Sequence, residues 1–255
     1  MPRIGKQIVY GVGFFIVVAG MLAAVFKPVL TPAPSCTDGR LNQDEEEIDC
    51  GGTSCMACAI KRLEPIRTGS VRVFVSGSST ALVAELTNPN AEYGISRIGY
   101  SFVVRSPEGV VQTIASGVER LGPGERRTIF AVAPKDLPIG GYRVDIVSDA
   151  PNWQIMPGGE VAGVAVDDVA TEIAGESVTV SGSVRNQSPL GGDSVRILAI
   201  IADRLGNEIF AAQTVSENLG GLESRSWRIL FPRDVGIAGR VDPARTRVFG
   251  YILPR

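Results

Sequence analysis

Residues 179–188 read TVSGSVRNQS, and residues 81–90 read ALVAELTNPN. Laid over each other at an offset of 98 residues, the two stretches bring Asn88 onto Asn186. The same offset carries Leu121-Gly122 onto Leu219-Gly220, Glu125 onto Glu223, Ile129 onto Trp227, Pro134 onto Pro232 and Asp136 onto Asp234. One residue slips between Pro107-Glu108-Gly109 and Arg204-Leu205-Gly206, which locates a single gap in a hairpin. Agreement sustained over this length identifies a duplicated unit. The unit alternates with a period of two. Val178, Val180, Gly182 and Val184 share one face, Thr179, Ser181, Ser183 and Arg185 the other, and Leu82, Ala84 and Leu86 repeat the phase against Val83, Glu85 and Thr87. That is the signature of a half-buried strand.

Further strands are expected at 100–104 and 195–201, then, after turns at 106–109 and 203–207, from Val110 and Glu208. Others follow at 126–133 and 224–231, with closing strands at 142–147 and 247–253. After residue 63 no segment keeps helical periodicity over three turns. Short strands punctuated by turns at this spacing predict an all-β fold of two tandem β-sandwiches, with repeat 1 at 63–150, a linker at 151–159 and repeat 2 at 160–255. With 30 glycines, 16 prolines and few aromatic residues, the composition suits a turn-rich β protein.

The first 62 residues are of a different kind. Residues 8–26, IVYGVGFFIVVAGMLAAVF, contain 19 residues without a charge. As a helix they would extend roughly 28 Å, which predicts a single transmembrane helix. Arg3 and Lys6 precede it and only Lys27 follows closely, so residues 1–7 are expected in the cytoplasm and the bulk of the chain outside. A cleaved signal peptide and a lipoprotein modified at Cys36 are the competing readings. Residues 27–35, KPVLTPAPS, form a Pro-rich spacer expected to be extended.

All four cysteines, Cys36, Cys50, Cys55 and Cys58, fall within residues 36–62, and an even count so closely packed predicts a disulfide-bearing module whose pairing the spacing leaves open. A zinc site is the alternative, although only Cys55-x-x-Cys58 has a suitable spacing. Asp38, Asn42, Asp44, Glu46 and Asp49 crowd one loop, and hard oxygen ligands at that density suit Ca²⁺, while a solvated acidic loop is the plainer reading. The order of Cys36, Asp38, Gly39, Asn42, Glu45, Asp49, Cys50, Gly51 and Gly52 resembles a small bacterial cysteine motif, CxDGxxNxxExxxDCGGxCxxC. One extra residue stands before Cys55. The resemblance implies an exported disulfide module.

The repeats, in turn, resemble FxLYD-type domains and the related late-embryogenesis-abundant domains. VSGSVRNQS at 180–188, Asp203, Gly206 and Leu219-Gly220-Gly221 carry the likeness. Ala199-Ile200-Ile201-Ala202-Asp203 stands where the aromatic motif would be, and the first copy keeps Phe102 but has Ser106 in place of the aspartate. The resemblance implies an immunoglobulin-like sandwich and a binding or spacer role.

With no histidine in the chain, a catalytic triad with a His base is excluded. No polar cluster has catalytic spacing, so the chain is read as not an enzyme. At a net charge of −2 and with no basic run, nucleic acid is not expected as a partner. The expected role is a membrane-anchored structural or interaction protein of a bacterial envelope, binding a protein partner in or on that envelope. The alternative is an accessory subunit of a pilus, secretion or envelope assembly, and a redox or enzyme component stands behind both. Asn88 and Asn186 are expected to close strands onto their turns, Trp227 to lie in a core, and Trp153 to pack or to form a contact. Asn186-Gln187-Ser188 matches a glycosylation sequon that would need a eukaryotic lumen.

Overall fold

The computed structural model describes residues 3–30, 35–77, 79–133, 137, 140–147, 152–156 and 163–254. Pro32 and Pro34 of the spacer, the repeat positions Pro134 and Asp136, and linker residues 151 and 157–159 lie outside the described residues. The chain is mostly strand, in several sheets, and divides into two compact units, Met1–Leu63 and Glu64–Arg255.

In the first unit, helix α1 runs over Arg3–Leu30. It passes through residues expected to be extended, because the fixed φ of Pro28 is compatible with a helix and costs one ladder donor near its end. Among the described residues no helix is long and apolar enough to cross a membrane. This overturns the single-pass assignment of residues 8–26, and with it the cytoplasmic N-terminus and the outside placement of the rest. Apolar side chains of α1, among them Tyr10, Phe14 and Phe15, are exposed.

The rest of this unit is stapled by Cys36–Cys55 and Cys50–Cys58 and contains the short helix α2, Cys58–Lys61. With almost no apolar interior, a segment of this size depends on such cross-links. Gly51 and Gly52 have φ of +85° and +70°. A Cβ on Gly52 would run into the Asp44 carbonyl, and one on Gly51 into Glu46.

The second unit is built from two copies of one design. The first copy has β1 (Arg67–Thr68), β2 (Arg72–Val75), β3 (Thr80–Thr87), β4 (Tyr93–Arg105), β5 (Val111–Leu121), β6 (Arg126–Ala133), β7 (Gly141–Ile146) and β8 (Trp153–Ile155). β3 pairs β1 and β2 on one side and β6 on the other, while β4 pairs β5, β7 and β8. The second copy has β9 (Val164–Ala174), β10 (Ser177–Asn186), β11 (Asp193–Ala202), β12 (Glu208–Leu219) and β13 (Ser224–Leu230), then a turn of helix α3 (Val235–Ala238) and β14 (Arg247–Ile252). Its sheets are β13-β10-β9 and β12-β11-β14. All pairings are antiparallel, and each copy has the two sheets of a sandwich-like layer pair.

The core follows the period of two in part, while β3, the middle of β4 and most of β11 are buried on both faces. Leu82, Ala84 and Leu86 face the interior of the first copy as expected. Ala81 and Val83, on the opposite face of β3, are buried as well, at 1% and 0% exposure. They join Phe74 and Phe130 in the apolar core of the second copy, beside Phe210 and Phe231. β3 is therefore covered on both faces, and the two copies share a core. Burial of a valine side chain such as Val83 contributes about 1.5–3 kcal/mol, so this shared layer ties the copies together strongly.

Candidate functional site

In the cysteine module the five residues expected to ligate calcium do not converge. Among the described residues, the groups with three close ligand atoms are Cys36, Glu45 and Cys55, and Glu47, Cys50 and Cys58, and the sulfurs in both are already in disulfides. The acids turn onto the module's own donors instead. The Gly39 amide donates to both Asp49 oxygens at 2.9 and 3.2 Å, the Arg40 amide and the Asn42 side-chain amide each donate to Asp38 at 2.9 Å, and the Asn42 amide donates to Glu45 at 3.1 Å. The hydroxyl and then the amide of Thr53 hold the Asp44 carboxyl at about 2. For Asp38, burial raises the pKa, but the bonds from Asn42, Arg40 and Ser35 outweigh it and leave the carboxyl below its usual range. Glu46 lies against Gly51, and its backbone amide donates to the Cys50 carbonyl at 3.0 Å. Asn42 Oδ1 is left without a hydrogen-bond partner among the described residues.

The repeated asparagines are structural, and identically so. Asn88 Nδ2 donates to the Tyr93 and Gly122 carbonyls, both at 2.7 Å, and its Oδ1 accepts the Asn90 amide at 3.0 Å. Asn186 Nδ2 donates to Leu190 and Gly220 at 2.9 and 3.2 Å, and its Oδ1 accepts the Ser188 amide at 2.9 Å. In each copy a glutamate caps the same corner. Gly122 N donates to Glu125, and Gly220 N to Glu223, at 2.6 Å. Trp227 is in the shared core, and Trp153, on β8, packs against the core of the first copy.

A charge cluster that no sequence pattern foretold lies where the copies meet. Glu119, on β5, is 0% exposed. It accepts Arg127 Nη1 at 3.0 Å on one oxygen and Arg196 Nη1 on the other. Arg127, 2% exposed, also reaches Glu125 through Nε at 2.9 Å and the Ile252 carbonyl through Nη1 at 3.0 Å. Both guanidinium groups lie over the Tyr251 ring, at 5.0 and 5.5 Å, and the Tyr251 hydroxyl accepts the Thr128 amide at 3.1 Å. Burial, with the Glu119 charge next, pushes the Tyr100 hydroxyl up. Two glutamates and two arginines leave this cluster neutral, as burial of charge requires. Further ties join Glu208 to Arg72 and Arg247, and Asp234 to the Gly77 amide at 3.1 Å. The Gly77 and Gly236 amides hold the Asp234 carboxyl below its usual range.

Two surface features lie on this body. A cleft of about 480 Å³ opens where the copies meet, lined by Thr80, Phe130 and Val132 from the first and Phe210, Leu230 and Phe231 from the second. The other feature is β9, a strand of 11 residues that among the described residues pairs with β10 alone and leaves Val169 and Ile173 exposed. Its counterparts in the first copy, β1 and β2, are a broken edge of two and four residues, with β2 drawn under the second copy by Phe74 and Arg72.

No protein-family model matches the chain, and no curated protein matches it. Among solved structures the chain is similar to the N-terminal CBM22-1-CBM22-2 tandem domain of Paenibacillus barcinonensis Xyn10C, at 11% identity over 75% of this chain and 86% of that one, with a TM-score of 0.16. A TM-score of that size carries no argument about fold or ligand.

Proposed function

We propose that the protein is a non-catalytic interaction protein, in which two immunoglobulin-like sandwiches of the FxLYD type are fused into one body that presents an open strand edge to a protein partner. The observation that carries this reading is β9. An edge strand exposes a row of unpaired main-chain groups, which proteins usually blunt with breaks, charges or cover. The first copy's edge is broken and partly covered; β9 is long, and its outer half, residues 169–174, bears one charge, Glu172. A partner segment added there would gain main-chain hydrogen bonds, with Val169 and Ile173 as side-chain anchors. The fused junction supports the reading, since a rigid platform spares the partner the entropy of ordering two domains.

The test places a photo-crosslinking residue at position 173 of the full chain in its native host, with a control at Arg67 on the broken edge. A discrete protein adduct is expected at 173, absent at 67 and lost with Val169→Lys. Adducts of equal yield at both positions, or one indifferent to Val169→Lys, would overturn the reading.

A further inference from the structure

Past a register shift opposite Gly182, the outer part of β9 pairs regularly with β10, from Ala170 on Ser181 to Ala174 on Ser177. Gly175, at φ +61°, and Glu176 form the tight turn that joins the two strands. The residues flanking such a turn make a hydrogen-bonded pair, and along an antiparallel ladder bonded and non-bonded pairs alternate. Ala174, Glu172 and Ala170 therefore turn their main-chain groups toward β10, while Thr171 and Ile173 turn theirs away. Among the described residues no strand takes these outward groups up. The side chains sort in the same way. Thr171 and Ile173 lie on the face of the core residues Val180 and Val178, and Ala170 and Glu172 lie on the opposite, exposed face. The Thr171 hydroxyl donates to Thr246 at 2.8 Å, which anchors the middle of this segment.

We infer that β9 pairs with β9 of a second copy of this chain, antiparallel about a two-fold axis at Thr171. The inference rests on the β9 reading above and names its partner. In this register Thr171 faces its own counterpart, Ala170 faces Glu172, and Val169 faces Ile173. The outward main-chain groups of the two Thr171 residues meet each other. The two apolar side chains, 44% and 41% exposed in the single chain, cover one another. Charge sets this register apart, because like charges directly opposite are destabilising. An axis at Ala170 would set Asp168 against Glu172, and an axis at Asp168 or Glu172 would set that acid against itself. An axis at Val169 avoids the repulsion but places Ile173 against Ala165, and one at Ile173 carries Val169 past the turn. The axis at Thr171 alone pairs both apolar side chains with no acid opposite an acid. A two-fold contact of this kind is self-complementary and closes as a dimer. It joins two three-stranded β13-β10-β9 sheets into one and covers the side of β9 that would otherwise template further addition.

The test uses the purified full chain with no other protein present. A photo-crosslinking residue at position 173 should give an adduct of two chains, and peptide mapping should place the new bond at or beside Val169 of the second copy. Two substitutions on the exposed face check the register. Ala170→Lys sets a cation opposite Glu172 twice in the dimer, and Ala170→Glu sets an anion there. At the usual strength of cross-strand pairs, sedimentation equilibrium should show the dimer tightened about fivefold by Ala170→Lys and weakened about fivefold by Ala170→Glu. A chain–chain adduct that maps to α1 or elsewhere, or a dimer that responds alike to the two substitutions, would rule the inference out. A purified chain that gives no chain–chain adduct at 173, while the same position captures a different protein in the native host, would also rule it out and would leave the β9 reading itself standing.

Discussion

At the scale of single residues, the two copies differ most where they align best. The repeat offset carries Glu119 onto Glu217 and Arg127 onto Arg225. In space Arg225 does not meet Glu217's carboxylate. It donates to the Ser216 hydroxyl at 3.4 Å and to the Glu217 and Asn218 carbonyls at 2.6 and 3.3 Å. The cause is where the bulge sits: in the second copy it is in β12, where Glu217 and Asn218 together oppose Ser194, with Asn218 at φ +50°, whereas in the first copy it is in β4, where Ser96 and Arg97 oppose Arg120. The bulge turns Ser216 inward and leaves Glu217 exposed. The buried acid thus exists only in the copy that Arg196 covers. Removing one partner of a buried pair leaves the other charge stranded, so Arg196→Met is expected to destabilise the second unit by about 3–5 kcal/mol. The double variant Glu119→Leu/Arg196→Met should recover most of that loss. Urea denaturation of the three proteins checks this, and strict additivity of the two single effects would contradict it. A linear alignment shows which residues correspond, but a one-residue bulge decides which of them point inward, so neither Glu119 nor Arg196 stood out in the sequence.

At the scale of elements, the sequence was more legible. β6 occupies Arg126–Ala133 and β10 Ser177–Asn186, close to where alternation and turn residues placed them. Local pattern suffices where a strand has one wet face. It failed for β1, β2 and β9, whose exposed or broken edges impose weak alternation, and for the outward face of β3, which looked solvated because its cover comes from the other copy. The Asn corners were legible because one side chain serves three main-chain groups in both copies. Asn88→Ala would strand the Tyr93 and Gly122 carbonyls and the Asn90 amide, at a cost of about 2–3 kcal/mol. Asn88→Asp should cost more, because an ionised carboxylate has only acceptors to offer two carbonyls. The same order is expected at Asn186. Thermal melts of the four variants test it, and an aspartate better tolerated than alanine at either position would show that the corner does not work through these bonds.

At the scale of the molecule, sharing a core changes what the duplication means. Tandem domains joined by a linker ordinarily unfold one by one, because few contacts cross between them. Here Phe74, Ala81, Val83 and Phe130 of the first copy are buried in the core of the second, and Arg196, Tyr251 and Ile252 of the second close over Glu119 and Arg127 of the first. Opening either copy would expose apolar surface and strand buried charge in the other. Residues 64–255 are therefore expected to melt in one cooperative transition, with calorimetric and van't Hoff enthalpies that agree. Ile129→Ala lies in the core of the first copy and Ile197→Ala in that of the second. Each deletes a buried branched side chain, at about 2–5 kcal/mol, and each should lower that same transition as a whole. Scanning calorimetry of the full chain decides the matter: two transitions, one moved by Ile129→Ala and the other by Ile197→Ala, would mean that the copies are merely adjacent and that the junction does not make them one body.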